Sequence, residues 1–234
     1  MKIAILSDIH GNIDALNQVL KEVDKQKIDM IFCLGDQLGY YYSAKEVYEE
    51  LRKRNSIIIS GNHEQIFLNY LTEPSKTIDE KYGLCFKKYK KIFSDELISF
   101  IEKIPSEIRL TIDGVKFSLF HGANFKNDYY VYPTEKRNIL DKFDSEDSDV
   151  IFIGHTHYPF IFNSSNSLVI NVGSVGQSRV IGGISNWGIY DTSNKVYIPK
   201  STPYNIKKVI EKLEEIDSNK YLKTILTRNN TSYE

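Results

Sequence analysis

Residue types that bind metals stand directly after short apolar segments that are predicted to form strands. The predicted strands cover residues 2–6, 30–34, 57–59, 115–120 and 150–153. The polar residues that follow them are Asp8, Asp36, Asn62, His121 and His155. Ligands of open α/β sheets bind beyond the carboxyl ends of the strands. The five segments are therefore predicted to carry polar side chains to one edge of the fold.

All five histidines of the chain belong to these motifs. They are His10, His63, His121, His155 and His157. The D-x-H motif at residue 8 and the H-x-H motif at residue 155 place two ligands on the same side of an extended chain. Imidazole and carboxylate together suit manganese, iron, zinc or nickel, and the absence of cysteine from the motifs argues against a structural zinc site. We therefore predict a centre that binds two metals and catalyses hydrolysis.

The order of predicted elements indicates the fold class. Strands and helices alternate in the first third of the chain, which predicts a sheet that begins with parallel strands. Residues of about 64 to 104 are predicted to be helical and to form an insertion beside the site. Later segments read as antiparallel hairpins, one with an Asp113-Gly114 turn. We expect one domain over residues 1–234, an α/β protein built as a four-layer α/β/β/α sandwich.

Composition limits the possible partners. The net charge of −1 gives no basic field that would recruit nucleic acid or an acidic membrane surface. No apolar run approaches the roughly 20 residues that span a bilayer, and the segment after Met1 is too short for a signal peptide. We expect a cytoplasmic protein with a small phosphoester or nucleotide substrate, and the sequence leaves its oligomeric state open.

The motifs D-x-H, G-D, G-N-H-E, H and G-H-x-H occur in this order from residue 8 to residue 157. This pattern resembles the calcineurin-like metallophosphoesterase superfamily. The resemblance implies two metal ions with Asp36 as a bridging ligand. It implies that the first metal is held by Asp8, His10, Asp36 and His157, and the second by Asp36, Asn62, His121 and His155. In the family, the histidine that corresponds to His63 is not a ligand and helps the leaving group to depart.

Further stretches resemble a group of small prokaryotic phosphodiesterases within the superfamily. They are the run Ser7 to Asn12, the pair Gly39-Tyr40, and the stretch Gly173 to Gln177 followed by Arg179. Protein phosphatases and dinucleoside-tetraphosphate hydrolases of the superfamily carry an aspartate where this chain has Gly39. They also carry an arginine where this chain has Tyr40. The departure disfavours a protein phosphatase.

The resemblance and the charge of the site predict a hydrolase. Two divalent cations, with manganese ranked first among the candidate metals, are expected at the site. Their charge exceeds that of Asp8, Asp36 and a bridging hydroxide by about +1, and this net positive charge attracts a phosphoryl group. The hydroxide attacks phosphorus and His63, as an imidazolium, protonates the leaving group. Phosphodiesters rank first as substrates, and phosphomonoesters or nucleotides second. The alternative is a non-catalytic metal-binding scaffold that docks a protein.

Other side chains are candidates for contact with substrate or for plain packing. Arg179 and Tyr40 are candidate substrate-binding residues. The tyrosines of residues 40–42 and the group at residues 129, 130 and 132 could stack on a nucleobase or simply pack against the protein. Glu64 is expected to interact with a helix N-terminus and to have no catalytic role.

Overall fold

The computed structural model describes residues 1–126, 128–143, 147–217 and 220–229. The strands are β1 (Lys2–Leu6), β2 (Met30–Leu34), β3 (Ser56–Ile59), β4 (Glu107–Ile112), β5 (Val115–Phe120), β6 (Val150–Ile153), β7 (Phe160–Asn163), β8 (Leu168–Asn171), β9 (Ile184–Asp191) and β10 (Val196–Pro203). The helices are α1 (Ile13–Lys25), α2 (Ala44–Arg52), α3 (Asn62–Thr72), α4 (Lys76–Tyr82), α5 (Cys85–Ile92), α6 (Asp95–Glu102), α7 (Arg137–Leu140), α8 (Ile206–Ile216) and α9 (Lys220–Leu226), with a 3-10 turn at Asp141–Phe143.

The first sheet has the strand order β10-β9-β1-β2-β3. Strands β1, β2 and β3 are parallel, as the alternation of strands and helices predicts. Strand β9 runs antiparallel to the other side of β1, so the first strand of the chain lies in the middle of this sheet. Strand β1 is buried from Ile3 to Leu6, which explains its continuous apolar sequence.

The second sheet has the strand order β4-β5-β6-β8-β7. The hairpins β4–β5 and β7–β8 are antiparallel, as expected, and the turn at Asp113 and Gly114 has the positive φ angles of a tight hairpin. The sequence left the pairing of β6 open, and β6 pairs in parallel with both β5 and β8. The chain returns through loops and α7 between these strands, and apolar strands buried on both faces suit parallel pairing.

Apolar side chains fill the space between the two sheets and the space under the helices. Residues between the sheets include Ile5 and Phe32 from the first sheet and Phe117 and Phe152 from the second. Helices α1, α2, α3, α5 and α8 pack on the outer face of the first sheet. The outer face of the second sheet is covered more thinly, by α7, the 3-10 turn and the loops around Val131. The α/β/β/α sandwich is confirmed.

The segment after β3 is helical, as predicted, and consists of four short helices, α3 to α6. Gly83, with a φ angle of 74°, separates α4 from α5. Aromatic rings of these helices contact one another, including Phe67, Tyr82 and Phe86. The assignment of this segment as an insertion within a single domain stays a prediction. Over the described ranges, no helix has the length and apolarity needed to cross a bilayer.

Candidate metal centre

The seven predicted ligands lie together beyond the carboxyl ends of strands from both sheets. Asp8 and His10 follow β1, Asp36 follows β2, Asn62 begins α3 after β3, His121 follows β5, and His155 and His157 follow β6. Apart from Asn62, each of these side chains belongs to a group of histidines and carboxylates close enough to hold a cation. The parallel pairing of β1, β2 and β3, and of β5 and β6, is what brings the strand ends to one edge.

Five of the seven residues have left-handed backbone conformations. The φ angles are 53° at Asp8, 53° at His10, 55° at Asp36, 69° at His155 and 62° at His157. Such conformations are uncommon outside glycine and cost about 1–3 kcal/mol each when the surrounding structure imposes them. Strain concentrated at these five positions supports a functional role for the site.

The Asp8 cluster consists of Asp8, His10 and His157. The Nε2 atoms of His10 and His157 lie 3.0 Å apart, and Oδ1 of Asp8 lies 3.2 Å from the His157 nitrogen and 3.7 Å from that of His10. Oδ2 of Asp36 approaches this cluster, 3.8 Å from Nε2 of His10. Ligand atoms about 2.0–2.2 Å from one cation are separated by roughly 3.0–3.6 Å. The cluster therefore has the dimensions of a first coordination shell.

The His121 cluster consists of Asp36, Asn62, His121 and His155. Nε2 of His121 lies 3.3 Å from Oδ2 of Asp36, 3.1 Å from Oδ1 of Asn62 and 3.1 Å from Nδ1 of His155. The same Asp36 oxygen faces both clusters, while its other oxygen accepts a hydrogen bond from the backbone N–H of His63 at 2.9 Å. Asp36 is thus placed to bridge two cations.

Backbone carbonyls select the histidine nitrogen that faces each cluster. Nδ1 of His10, His121 and His157 lies 3.3, 2.7 and 2.7 Å from the carbonyl oxygens of Leu38, Leu34 and Gln177, respectively. His155 is reversed, because its Nε2 lies 3.3 Å from the Asp128 carbonyl and its Nδ1 faces the cluster. In each ring one nitrogen donates to a carbonyl and the other is left as a lone-pair donor, which is the arrangement that metal-binding histidines adopt.

The Asp8 carboxylate also fits a cation. Its Oδ2 accepts hydrogen bonds from the Ser7 hydroxyl at 2.6 Å and the His155 N–H at 3.0 Å. Its Oδ1 is fully buried and has no hydrogen-bond partner among the described residues. A buried carboxylate oxygen without a donor is costly unless a cation occupies the position that it faces. The donor set therefore fits two divalent ions, and its mixture of nitrogen and oxygen suits manganese, iron, zinc or nickel.

Charge in the cluster follows from burial and from the central carboxylate. Burial works against ionisation of Asp36, but His121, His63 and His10 hold its pKa well below the usual value. For His121, burial lowers the pKa, but Asp36 outweighs that effect and raises the pKa to about 10. Burial lowers the pKa of His10 well below 6.5, and burial together with His121 lowers that of His155 to about 4. His10 and His155 are therefore neutral at physiological pH, which is the form that binds metals, whereas His121 would have to release its proton when a cation binds.

Glu64 joins the loop after β2 to the start of α3. Its two carboxylate oxygens accept hydrogen bonds from backbone N–H groups of Asp36, Gln37, Leu38 and Gly61 at 2.7–3.3 Å. The buried Tyr48 hydroxyl donates a further hydrogen bond at 3.0 Å. Burial and the nearby Asp36 carboxylate raise the pKa of Glu64 to about 7. Glu64 thus fixes the backbone on both sides of the shared ligand Asp36.

His63 lies beside the Asp8 cluster in a pocket of aromatic rings. Its ring centroid lies 4.7–6.0 Å from those of His10, Tyr40, Tyr82 and Phe86. Burial lowers the pKa of His63 to about 4. Its Nδ1 is buried and has no hydrogen-bond partner among the described residues. At Gly39, which has a φ angle of 105°, an added Cβ would overlap this nitrogen. The helical segment, through Tyr82 and Phe86, therefore forms part of the wall around His63.

Two candidate substrate-binding residues lie near the centre. Tyr40 is half-buried, and its ring lies 4.8 Å from that of His10. Arg179 is half-buried in the loop that follows Gln177, whose carbonyl contacts His157. Of the other tyrosines considered from the sequence, Tyr41 and Tyr42 are buried in the core, whereas Tyr130 and Tyr132 are exposed.

Sequence reasoning did not identify several residues that support the site. Ser7 and the Gly173–Arg179 stretch were noted only as parts of a resemblance. In the structure, the Ser174 hydroxyl donates to the Asp8 carbonyl at 2.7 Å, and the N–H groups of Val175 and Gly176 bond to the carbonyls of Ser7 and Asp8. The five donors to Glu64 come from three separate segments, so no local pattern indicates them.

Comparisons with known proteins show the family of the chain. The sequence model of the calcineurin-like phosphoesterase superfamily domain matches residues 1–195. The uncharacterized protein MJ0912 of Methanocaldococcus jannaschii is 32% identical over 231 residues, which cover 90% of this chain and 91% of that protein. The crystal structure of a metallophosphoesterase from Sphaerobacter thermophilus has a TM-score of 0.81 at 24% identity, over 97% of this chain and 98% of that one. An archaeal phosphodiesterase has a TM-score of 0.51 at 24% identity, over 86% and 99% of the two chains.

Proposed function

The chain belongs to the calcineurin-like phosphoesterase superfamily, and from this premise we propose that it is a phosphodiesterase that works with two divalent cations, manganese first among them. One observation carries the proposal. The Asp8 cluster and the His121 cluster share Oδ2 of Asp36, and four imidazoles turn a lone-pair nitrogen toward them. Such a pair of sites suits in-line displacement at phosphorus, in which the attacking and the leaving oxygens both need stabilisation.

Each group of residues has a distinct role in this proposal. Asp8, His10, Asp36 and His157 hold one cation, and Asp36, Asn62, His121 and His155 hold the other. Bound cations would lower the pKa of water between them and neutralise charge on the phosphoryl group. The backbone carbonyls and Glu64 keep the ligands in position while charge develops in the transition state.

His63 is proposed to protonate the leaving oxygen. Because burial lowers its pKa to about 4 in the free protein, this role requires that the anionic phosphate raise that pKa when substrate binds. His63 lies next to the shared carboxylate, with its Nε2 3.9 Å from Oδ2 of Asp36, and it shares the aromatic pocket with Tyr40. General acid assistance is typically worth about 10²–10⁴ in rate. His63, His10 and Asp36 could also surround a cation, so the two roles of His63 must be separated by experiment.

Substrate class and catalysis are tested together. The protein is reloaded with manganese and offered bis-p-nitrophenyl phosphate, p-nitrophenyl phosphate and a dinucleoside polyphosphate. Hydrolysis of the diester is expected to be fastest. Activity on the monoester alone would contradict the diesterase assignment. A fully loaded protein that hydrolyses none of the three would favour the metal-binding scaffold that docks a protein.

The role of His63 is tested with His63→Ala. Turnover is expected to fall with the metal content unchanged, as measured by elemental analysis of the reloaded protein. The loss should be smaller for p-nitrophenolate, which departs with little help, than for an alkoxide leaving group. Loss of one cation per chain would instead assign His63 as a ligand.

A further inference from the structure

Two exposed tyrosines stand beside the His121 cluster. The ring centroid of Tyr130 lies 3.8 Å from that of His155, and the rings of Tyr130 and Tyr132 are nearly parallel, with 6.2 Å between centroids and 14° between planes. The exposed fractions are 45% for Tyr130 and 41% for Tyr132. We call Tyr130 and Tyr132 the tyrosine platform.

Cationic side chains lie around the same opening. Arg179 has a buried Nε atom without a hydrogen-bond partner among the described residues. It is half-buried in the loop after Gln177, whose carbonyl oxygen lies 2.7 Å from Nδ1 of the predicted ligand His157. The Nζ atom of Lys81 lies 4.9 Å from the centre of the Tyr82 ring, so this cation sits on the aromatic wall next to His63. Unsatisfied positive charge next to open aromatic faces fits a ligand that carries both a phosphate and a flat ring.

We propose that the tyrosine platform stacks the base of a nucleoside phosphodiester whose phosphate lies at the metal centre, with Arg179 facing its anionic oxygens. The inference rests on the proposed function, because it names the substrate class of that same centre. Aromatic side chains accept a base on either face, and such stacking depends little on base identity. Tyr130 contacts the predicted ligand His155, so a base stacked on the platform would belong to the nucleoside that carries the reacting phosphate.

The test compares two substrates with the same leaving group. Thymidine 5′-(p-nitrophenyl phosphate) carries a base, and methyl p-nitrophenyl phosphate carries none. In both, the oxygen of water bonds to phosphorus, the bond to p-nitrophenolate breaks, and the protons of water pass to the phenolate and to solvent. With the manganese-loaded protein, we expect kcat/KM to be about five- to 150-fold higher for the thymidine substrate.

Variants assign that preference to the platform. Tyr132→Leu should reduce the ratio of the two kcat/KM values toward one, and Tyr132→Phe, which keeps the ring, should retain it. Tyr221→Leu is the matched control, because Tyr221 is a 52% exposed tyrosine on α9, outside the loops that carry the ligands. It should leave the ratio as in the unmodified protein.

The outcomes separate the two proposals. Equal kcat/KM values for the two substrates would overturn the tyrosine platform and leave the phosphodiesterase in place. A preference that survives Tyr132→Leu would also overturn it, because the base would then bind elsewhere. Hydrolysis of neither substrate by the loaded protein would refute the proposed function, and the inference with it.

Discussion

Replacing Ser7 by alanine tests how the carboxylate of Asp8 is held. The Ser7 hydroxyl is buried and donates to Oδ2 of Asp8 at 2.6 Å, and the only other donor to that oxygen among the described residues is the His155 N–H. Ser7→Ala removes one of these two donors without adding atoms. Oδ2 of Asp8 is then held by one donor instead of two. The orientation of Oδ1 toward the other members of the Asp8 cluster is therefore less restrained.

Two independent scales give the magnitude of the effect. A hydrogen bond to a charged group contributes about 1.5–3 kcal/mol, which corresponds to roughly 10–150-fold in a binding constant. Loss of a residue that orients a metal ligand typically costs about 10–100-fold in metal affinity. Because the His155 N–H remains and Oδ2 is not the ligand atom, we expect a loss of about tenfold. Asp8 faces one cluster only, so only one of the two cations should bind more weakly.

The assay is a manganese titration of metal-free protein in competition with a chelating indicator. Ser118→Ala is the control, because the Ser118 hydroxyl on β5 is equally buried and bonds to the Ser148 hydroxyl, which is not a predicted metal ligand. The control should bind both cations as the unmodified protein does. An affinity of Ser7→Ala within twofold of the unmodified protein, or an equal loss in Ser118→Ala, would refute the proposed role of the hydroxyl.

Three further predictions concern the surroundings of the centre. Tyr48→Phe removes a buried donor to Glu64 and should lower the free energy of unfolding by about 1.5–3 kcal/mol in urea denaturation. The control Tyr70→Phe, at a more exposed hydroxyl, should lower it less. Equal losses in the two variants would contradict the role of Glu64. Gly39→Asp should lower both Tm and turnover, because a side chain at this position overlaps His63 and the left-handed backbone costs about 1–3 kcal/mol. Higher turnover would show that the aromatic pocket around His63 can accommodate the aspartate. Removing two cations with a chelator should lower Tm by roughly 11–22 °C if each is present at about 100 times its Kd, because each then contributes about 2.7 kcal/mol. An unchanged Tm in calorimetry would argue against two tightly held ions.

The candidate site could be predicted from the sequence because its residue types are rare and their positions are local. Asp8, Asp36 and His121 each follow an apolar strand within one or two residues, so the end of the strand and the position of the ligand are read together. Parallel pairing then fixes the edge at which the ligands meet. The division of the ligands between two cations came from the family resemblance that the order of the motifs carries. The spacing of the residues alone does not provide it.

Pairings between distant segments were not predictable in the same way. The hairpins were predictable from their turns, but the parallel pairing of β6 was not, because an apolar strand has the same character whichever way its neighbours run. The surroundings of His63 also escaped prediction. Tyr82 and Phe86 have the spacing of a buried helix face, and only the fold shows that this face reaches the histidine. The pairing of β6 and the surroundings of His63 both depend on contacts between distant segments, and no local sequence pattern indicates such contacts.

The position of β1 in the middle of the first sheet has a consequence for biosynthesis. Asp8 and His10 leave the ribosome long before His157 and the Gln177 carbonyl that orients it, which follow about 150 residues or more later. Strand β9, which closes the far side of β1, is synthesised later still. Nascent chains hold only fragments of either coordination shell, so cation uptake belongs to the last stage of maturation. Loaded protein would then be a marker of chains that have finished folding.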